Sequence, residues 1–285
     1  MILSIFPTWT RRWGNLLPLV AFTLLAFDLP VVRMLLLSFE YPDDRLRAFR
    51  ELLATPVYLG VVLITFEIAF ATAVLTGFLG YILAYWIYTI RSAGWRMFLL
   101  GTVGMTFWIS ILARIYAWIV LLGNNGIVNR FLLELRFVDQ PVSMIYNEFG
   151  ILVGTVNVLL PIAVLPLYAA MNNVDVRLVS AARSLGASEL RVFWQIFFPL
   201  TFPALAAGAM LVFILTLGFF VTPAILGGNR VPMVATVLDS LINVVSDWQL
   251  AAALSSILLI VTLLFYAIYK KLLELSSTST KGGKL

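Results

Sequence analysis

The sequence predicts an all-α integral membrane protein with six transmembrane helices. Three observations carry that prediction. Apolar residues make up 62% of the 285 residues, where a soluble domain holds about half. Only 12% are charged, roughly half the soluble share, and the mean hydropathy is +1.01. The apolar residues fall into six runs: Leu16–Phe39, Val57–Ile90, Met97–Leu122, Phe149–Met171, Leu200–Leu226 and Leu250–Tyr269. Each reaches the ~20 residues that a spanning helix needs. Lipid leaves backbone polar groups no water to bond, so only helices and closed barrels span it. Continuous runs, instead of alternating segments of about ten residues, select helices.

Taken in order, "MILSIFPTWTRRWGN" (1–15) places Arg11 and Arg12 ahead of the first run. That run is too long for the h-region of a signal peptide, so it reads as a retained span. It contains Asp28, Pro30 and Arg33, which read as a kink with a local charge pair. The second run exceeds what a span requires, implying tilt or an interfacial turn after Pro56. The fifth run is expected to start just after Pro203. "SSTSTKGGKL" closes the chain as a low-complexity tail expected to be disordered. The organisation is a cytoplasmic N-terminus (1–15), a six-helix transmembrane domain (16–272) with a loop hairpin at 174–198, and a cytoplasmic tail (273–285).

Orientation follows from Lys and Arg. With the N-terminus cytoplasmic, the inner segments carry Arg11, Arg12, Arg91, Arg96, Arg177, Arg183, Arg191, Lys270, Lys271, Lys281 and Lys284. That is eleven of the nineteen basic residues and every Lys, while the outer loops mix both signs. Both termini are therefore expected in the cytoplasm. The net charge of +5 reflects this bias and calls for no nucleic-acid partner.

The chain has neither Cys nor His. That removes thiolate and imidazole metal sites and Ser-His-Asp or Cys-His catalysis. No G-x-x-x-x-G-K-[ST] loop is present, so the chain has no phosphate cradle of that kind. A membrane enzyme is disfavoured for the same reasons. A stand-alone secondary transporter would show paired repeats and interrupted helices, and neither is read here.

One stretch breaks the apolar monotony: "SAARSLGASELRVFWQIFFP", Ser180–Pro199. Leu178, Ala182 and Leu185 recur at helical spacing. Gly186 suits a helix C-terminus with positive φ. Ser188 suits the next N-cap, with Glu189 in the first turn. Leu190, Phe193, Trp194 and Phe197 continue at helical spacing, and Pro199 and Pro203 close the segment. The result is two short helices joined at Gly186. Ser180, Ala181 and Ala182 are small enough to admit another surface closely. The alternative is an interfacial helix lying on the bilayer.

This stretch resembles the EAA loop of ABC importer permeases. That pattern is Glu-Ala-Ala, three residues, Gly, nine residues, Ile, one residue, then Leu-Pro. Ala181, Ala182, Gly186, Ile196 and Pro199 fit it, while Ser180 stands for Glu and Phe198 for Leu. The resemblance extends to "FWISILARIYAWIVLLGNNGIVN" (Phe107–Asn129), with Thr106 where Pro is common, and to "LGFFVTPAILGG" (Leu217–Gly228). Both are similar to spermidine/putrescine-type permeases, although Phe219 and Phe220 are not acidic. The resemblance implies a type I importer permease in the bacterial cytoplasmic membrane. Its hairpin would couple to an ATPase through Ser180, Ala181, Ala182, Leu185, Gly186, Glu189, Ile196 and Pro199. It further implies two ATPase subunits that carry ATP and Mg, a second permease subunit in a heterodimer, and an external substrate-binding protein. This chain would itself bind no cofactor.

Ionisable groups inside spans are costly and functional by default. Glu67 either faces a water-filled cavity and attracts a cation or pairs with Arg114. Arg114 opposes a purely cationic path unless a carboxylate neutralises it. Tyr85, Trp108, Tyr116 and Trp118 either form a cation cage or belong to the interfacial aromatic belt. The substrate-path candidates are Glu67, Tyr85, Trp108, Arg114 and Tyr116. The sequence leaves polyamines, opine-like amines, amino acid derivatives and small anions open.

Overall fold

The computed structural model describes residues 16–42, 44–228 and 230–281, with 272–281 by backbone alone. The expected cytoplasmic N-terminus, 1–15, lies outside them. The described residues form helices and loops, with no strand among them. Six helical stretches are long and apolar enough to cross a membrane: Leu17–Leu37, Pro56–Thr89, Ile111–Glu134, Glu148–Asn172, Glu189–Leu217 and Trp248–Lys271.

In chain order, α1 is Leu17–Leu37, α2 is Arg47–Ala54 and α3 is Pro56–Thr89. Next come α4, Ala93–Met105; α5, Ile111–Leu122; and α6, Ile127–Glu134. Helix α7 is Glu148–Asn172, α8 is Val176–Ser184 and α9 is Glu189–Leu217. The last three are α10, Val221–Leu226; α11, Val234–Val245; and α12, Trp248–Lys281.

Two compact units divide the chain. The first takes the chain up to Leu59 together with Leu238–Val261, and the second takes Gly60–Val237 and the chain from Thr262 on. The sequence reads 16–272 as one transmembrane domain. The boundaries between the units pass through α3, α11 and α12, so no linker composition marks them.

Four expectations are corrected. The run Met97–Leu122 is not one helix. α4 stops at Met105, a tight turn occupies Thr106–Trp108, and Ile109 and Ser110 are extended, with ψ of 127° and 132°. The Thr106 hydroxyl takes the Val103 carbonyl at 2.6 Å, a local bond that competes with the helical ladder. The fifth span does not begin after Pro203. α9 starts at Glu189, runs through Pro199 and Pro203, and ends at Leu217, leaving Val221–Leu226 as a separate helix. A widened π turn at Phe193–Phe197 precedes Pro199, and another at Leu24–Asp28 precedes Pro30 in α1. A proline ring clashes with the carbonyl four residues earlier, and a one-residue bulge relieves that clash without ending the helix. The kink expected near Asp28 is this turn, but Asp28 and Arg33 form no ion pair. Finally, α12 continues to Lys281, into the segment expected to be a disordered tail.

In the second unit α3, α7 and α9 meet through small residues. A Cβ on Gly80 would lie 3.2 Å from the Cβ of Ala163. One on Gly77 would lie 3.4 Å from Leu205 and 3.7 Å from Ala209, and one on Gly208 would lie 4.0 Å from the Ala163 Cα. Lipid tails are as apolar as Leu, so helices associate in the membrane by close packing and not by water exclusion. Ile68 and Ile151 share a buried cluster with Met233. Together with Gly80 opposite Ala163, this sets α3 and α7 side by side, running in the same direction.

The loops of this unit are tied by specific bonds. Asn147 caps α7 by accepting from Gly150 N–H at 2.9 Å. Thr65 accepts from Val234 N–H at 2.9 Å, binding the start of α11 to α3. Asn129, fully buried, donates to the carbonyls of Gly123 and Val142 and accepts from Val142 N–H. It thereby staples the loop around α6.

The first unit has a polar knot. α2 buries Ala48 and Leu52, and Arg50 pairs with Asp44 at 3.0 Å. The Arg47 guanidinium lies 5.1 Å from the centroid of the Tyr41 ring. The Tyr41 hydroxyl donates to Asp247, 3.0 Å from both carboxylate oxygens. Asp247 also accepts from Leu250 N–H at 2.9 Å, capping α12. Burial, and then the Asp247 carboxylate, raise the Tyr41 phenol above its ordinary 10.0. A raised folded value means that stability from the bonded phenol is fully present below pH 10 and is lost as pH rises through the folded value. Detergent-solubilised protein should therefore melt at progressively lower temperature above pH 10. Tyr41→Phe should remove part of that alkaline slope; an unchanged slope would show that the bond does not contribute.

Candidate coupling hairpin and translocation path

α8 and the start of α9 form the expected helix–Gly–helix hairpin. Asp175 caps α8 by accepting from Arg177 N–H at 2.9 Å. At its end, Ala187 N–H bonds the Ala182 carbonyl at 3.0 Å and Gly186 N–H the Arg183 carbonyl at 2.9 Å. Gly186 has φ +83°. This pair of bonds around a left-handed residue is the Schellman closure, which strains any residue bearing a Cβ. Ser188 occupies the next N-cap, but its side chain makes no cap bond. Across the turn, Arg183 and Glu189 form an ion pair at 2.8 Å. That hydrogen bond and charge push the Arg183 guanidinium further up from its ordinary value.

The inward face of the hairpin rests on the last turns of α3. Tyr85 packs on Phe193 and Phe197, with ring centroids 5.1 and 5.5 Å apart. Tyr88 meets Phe197 at 5.2 Å, and Tyr81 meets Phe198 at 5.6 Å and Phe193 at 6.2 Å. The Tyr81 and Thr201 hydroxyls bond at 2.9 Å, both buried. A cleft of ≈ 180 Å³ between this turn and the hairpin is lined by Tyr85, Tyr88, Val179, Arg183, Glu189 and Phe193, among others.

Among the described residues the outward face has no partner. Leu185 is 89% exposed, Leu190 71% and Leu178 49%. Ser180, Ala181, Gly186, Glu189 and Pro199 are exposed, while Ala182 and Ile196 are half-buried. The eight candidate residues share one short segment, and of the small ones Ser180, Ala181 and Gly186 lie on the open side. Leu190 and Trp194 were grouped with Phe193 and Phe197 by spacing alone. The structure splits them: the two Phe turn inward, and Leu190 and Trp194 outward.

The path candidates are not brought together. Tyr85 belongs to the hairpin contact and has no ring contact with Trp108 or Tyr116. Trp108, in the break between α4 and α5, is 91% exposed, and Tyr116 is 60% exposed. Trp118 packs against the buried cluster of Ile115, Leu122 and Leu226. Glu67 is exposed on α3 and forms no ion pair with Arg114. Arg114 is half-buried in the first turn of α5, and its Nε is buried without a partner.

Sequence reasoning missed several polar groups. Thr72 and Thr76 on α3, Thr155 on α7 and Thr222 on α10 are buried with unpartnered hydroxyls. The register that sets Gly80 opposite Ala163 and Ile68 near Ile151 puts Thr72 level with Thr155. Thr recurring at i and i+4 in an apolar span was the available signal. Among the described residues no group of His, Cys, Asp and Glu is arranged to hold a metal ion.

Residues 19–274 match the family described as "Binding-protein-dependent transport system inner membrane component". The "Spermidine/putrescine transport system permease protein PotB" of Haemophilus influenzae is 32% identical over 219 residues, 76% of each chain. That of Escherichia coli K12 is 33% identical over 217 residues, 76% of this chain and 78% of the relative. The "Putative 2-aminoethylphosphonate transport system permease protein PhnU" of Salmonella typhimurium LT2 is 28% identical over 260 residues, 90% of each. Among solved structures, a bacterial alginate ABC transporter bound to its pentasaccharide-loaded periplasmic protein matches with a TM-score of 0.78 at 18% identity. That match covers 90% of this chain and 91% of the other. The chain belongs to the family of binding-protein-dependent transport system inner membrane components, with the helical architecture of ABC importer permeases.

Proposed function

We propose that this chain is a permease subunit of an ATP-driven importer and forms the path for a polyamine such as spermidine or putrescine. The exposed hairpin carries the coupling half of this reading. A membrane protein that leaves Leu178, Leu185 and Leu190 uncovered beside Ala181 and Gly186 offers a small apolar knob to a protein surface. In this reading two ATPase subunits bind ATP and Mg and receive that knob. Their closure moves the spans between two packed states. A second, different permease subunit completes the path, and an external binding protein delivers substrate. The chain itself does no catalysis and binds no cofactor. The basic residues of the hairpin, the Arg91–Arg96 loop and the C-terminal segment support cytoplasmic N- and C-termini.

The polyamine assignment rests on kinship with PotB permeases and on Glu67, an acid inside a span. A second reading is favoured by one observation: no ion pair neutralises Arg114. An amine that also bears an anionic group would suit that guanidinium, and the PhnU relative is named for such a compound. A thermal-shift screen of the cognate binding protein against spermidine, putrescine and 2-aminoethylphosphonate separates the two. In the polyamine case, Glu67→Gln should lower uptake several-fold without disturbing assembly, and Arg114→Gln should be tolerated. The reverse pattern would favour the second reading.

Purified with the products of neighbouring genes, the chain should co-elute with an ATPase. Transport that continues without any ATPase would overturn the importer reading. Gly186→Trp should leave the protein inserted but cut ATP-driven uptake by about tenfold or more, within the span of single-site coupling effects. Gly186→Asn should do less harm, because Asn tolerates positive φ.

A further inference from the structure

We infer that Tyr81, Tyr85 and Tyr88 form an aromatic clasp that joins the hairpin to α3 as one lever, so that hairpin movement reaches the second span directly. This rests on the reading that the hairpin docks an ATPase.

The second and fifth spans are joined to the hairpin in different ways. α9 continues from the hairpin without interruption, so the fifth span moves with the hairpin by covalent continuity. α3 has no such link, and any displacement it receives must pass through side chains. At the hairpin end the contacts that cross are largely aromatic, while deeper in the span Gly77 meets Leu205 and Ala209. Tyr85 and Tyr88 sit on Phe193 and Phe197 at 5.1–5.5 Å, and Tyr81 sits on Phe198 at 5.6 Å. Edge-to-face and tilted rings resist sliding, because each ring edge is held against a neighbouring face. The Tyr81–Thr201 hydroxyl bond at 2.9 Å is buried, so breaking it leaves two unsatisfied groups. It lies one turn deeper than the Tyr85 contacts and fixes the register.

The three Tyr positions lie at i, i+4 and i+7 on one face of α3. The opposing Phe193, Phe197 and Phe198 flank the π turn, which sets where their rings project. The cleft beneath them also involves Val176 and Val179 of α8, so both arms of the hairpin bear on the same turn of α3. The Arg183–Glu189 pair closes the rim. Tyr85 is thus a positioning residue in the lever, not a wall of the substrate path.

The test uses the assembled complex with its ATPase and binding protein in vesicles. Tyr85→Leu should preserve co-elution and basal ATP hydrolysis. It should also reduce the stimulation of hydrolysis by loaded binding protein about tenfold, with KM for substrate unchanged. Tyr85→Phe, which keeps the ring, should restore coupling. The chain has no Cys, so Tyr85→Cys with Phe197→Cys supplies a single thiol pair. That double variant should be uncoupled as made, and a short bis-thiol cross-linker should recover uptake.

Wild-type stimulation in Tyr85→Leu would overturn the clasp. So would a raised KM in both Leu and Phe variants, since that pattern belongs to a substrate contact. A cross-linked pair that stays inactive would also overturn it, because the joint would then have to slide. Absence of any co-eluting ATPase with the wild-type chain would instead remove the importer reading.

Discussion

Everything in the second unit depends on how closely three helices approach. In water the cost of exposing Leu or Val drives helices together. In lipid that cost vanishes, and van der Waals contact with shape complementarity must do the work. Gly77, Gly80, Ala163 and Gly208 supply it by removing side chains where α3, α7 and α9 meet. Ala163 is the pivot, since both Gly80 and Gly208 close on it. The same register levels Thr72 with Thr155 and carries α3 down to where Tyr85 and Tyr88 meet the hairpin. A residue of ordinary size at Gly80 would therefore be felt at the hairpin contacts of Tyr81, Tyr85 and Tyr88, all within about two turns of it.

The proposed coupling role sets the hairpin a mechanical constraint. A loop that is to pass force must be stiff, yet this one turns back sharply at Gly186. Gly186 allows the reversal by taking a positive φ, and two backbone bonds close it. The Arg183–Glu189 pair spans the same turn. Both partners are more than half exposed, so its energetic weight is about that of a surface pair, well under 1 kcal/mol in many cases. Direction comes from α9, where the π turn ahead of Pro199 lets one helix run from loop into span. Had Pro199 ended the helix, the hairpin would have hung from a flexible corner.

Several of these features were legible in the sequence and several were not. The spans were, because lipid forces long apolar runs on any helix that crosses it. The hairpin was, because Arg183, Glu189 and Arg191 around Gly186 are expensive to place in lipid. Pro199 was misread: a proline signals a helix end only if the turn before it cannot widen, and spacing does not report a bulge. The break at Ile109–Ser110 was invisible because Thr106, Phe107 and Trp108 carry no breaker, and the interruption arises from local bonding by Thr106. Tyr85 was grouped with Trp108 and Tyr116 by residue type. Its true neighbours are more than one hundred residues away in sequence, and only the docking of α9 on α3 brings them in. Asn129 carried no signal of its own in the sequence, yet it is buried and holds three backbone groups.

The break in the third span changes what Arg114 means. In an unbroken helix a guanidinium at that depth would face hydrocarbon or a paired acid, and its burial would be a pure cost. Here α5 restarts at Ile111, so the N–H groups of its first turn are free of the ladder. Arg114 stands in that same turn. The turn thus adds the positive end of a helix to a fixed positive charge. Glu67 is not positioned to cancel it. A bare polycation passing close to this turn would be repelled twice over.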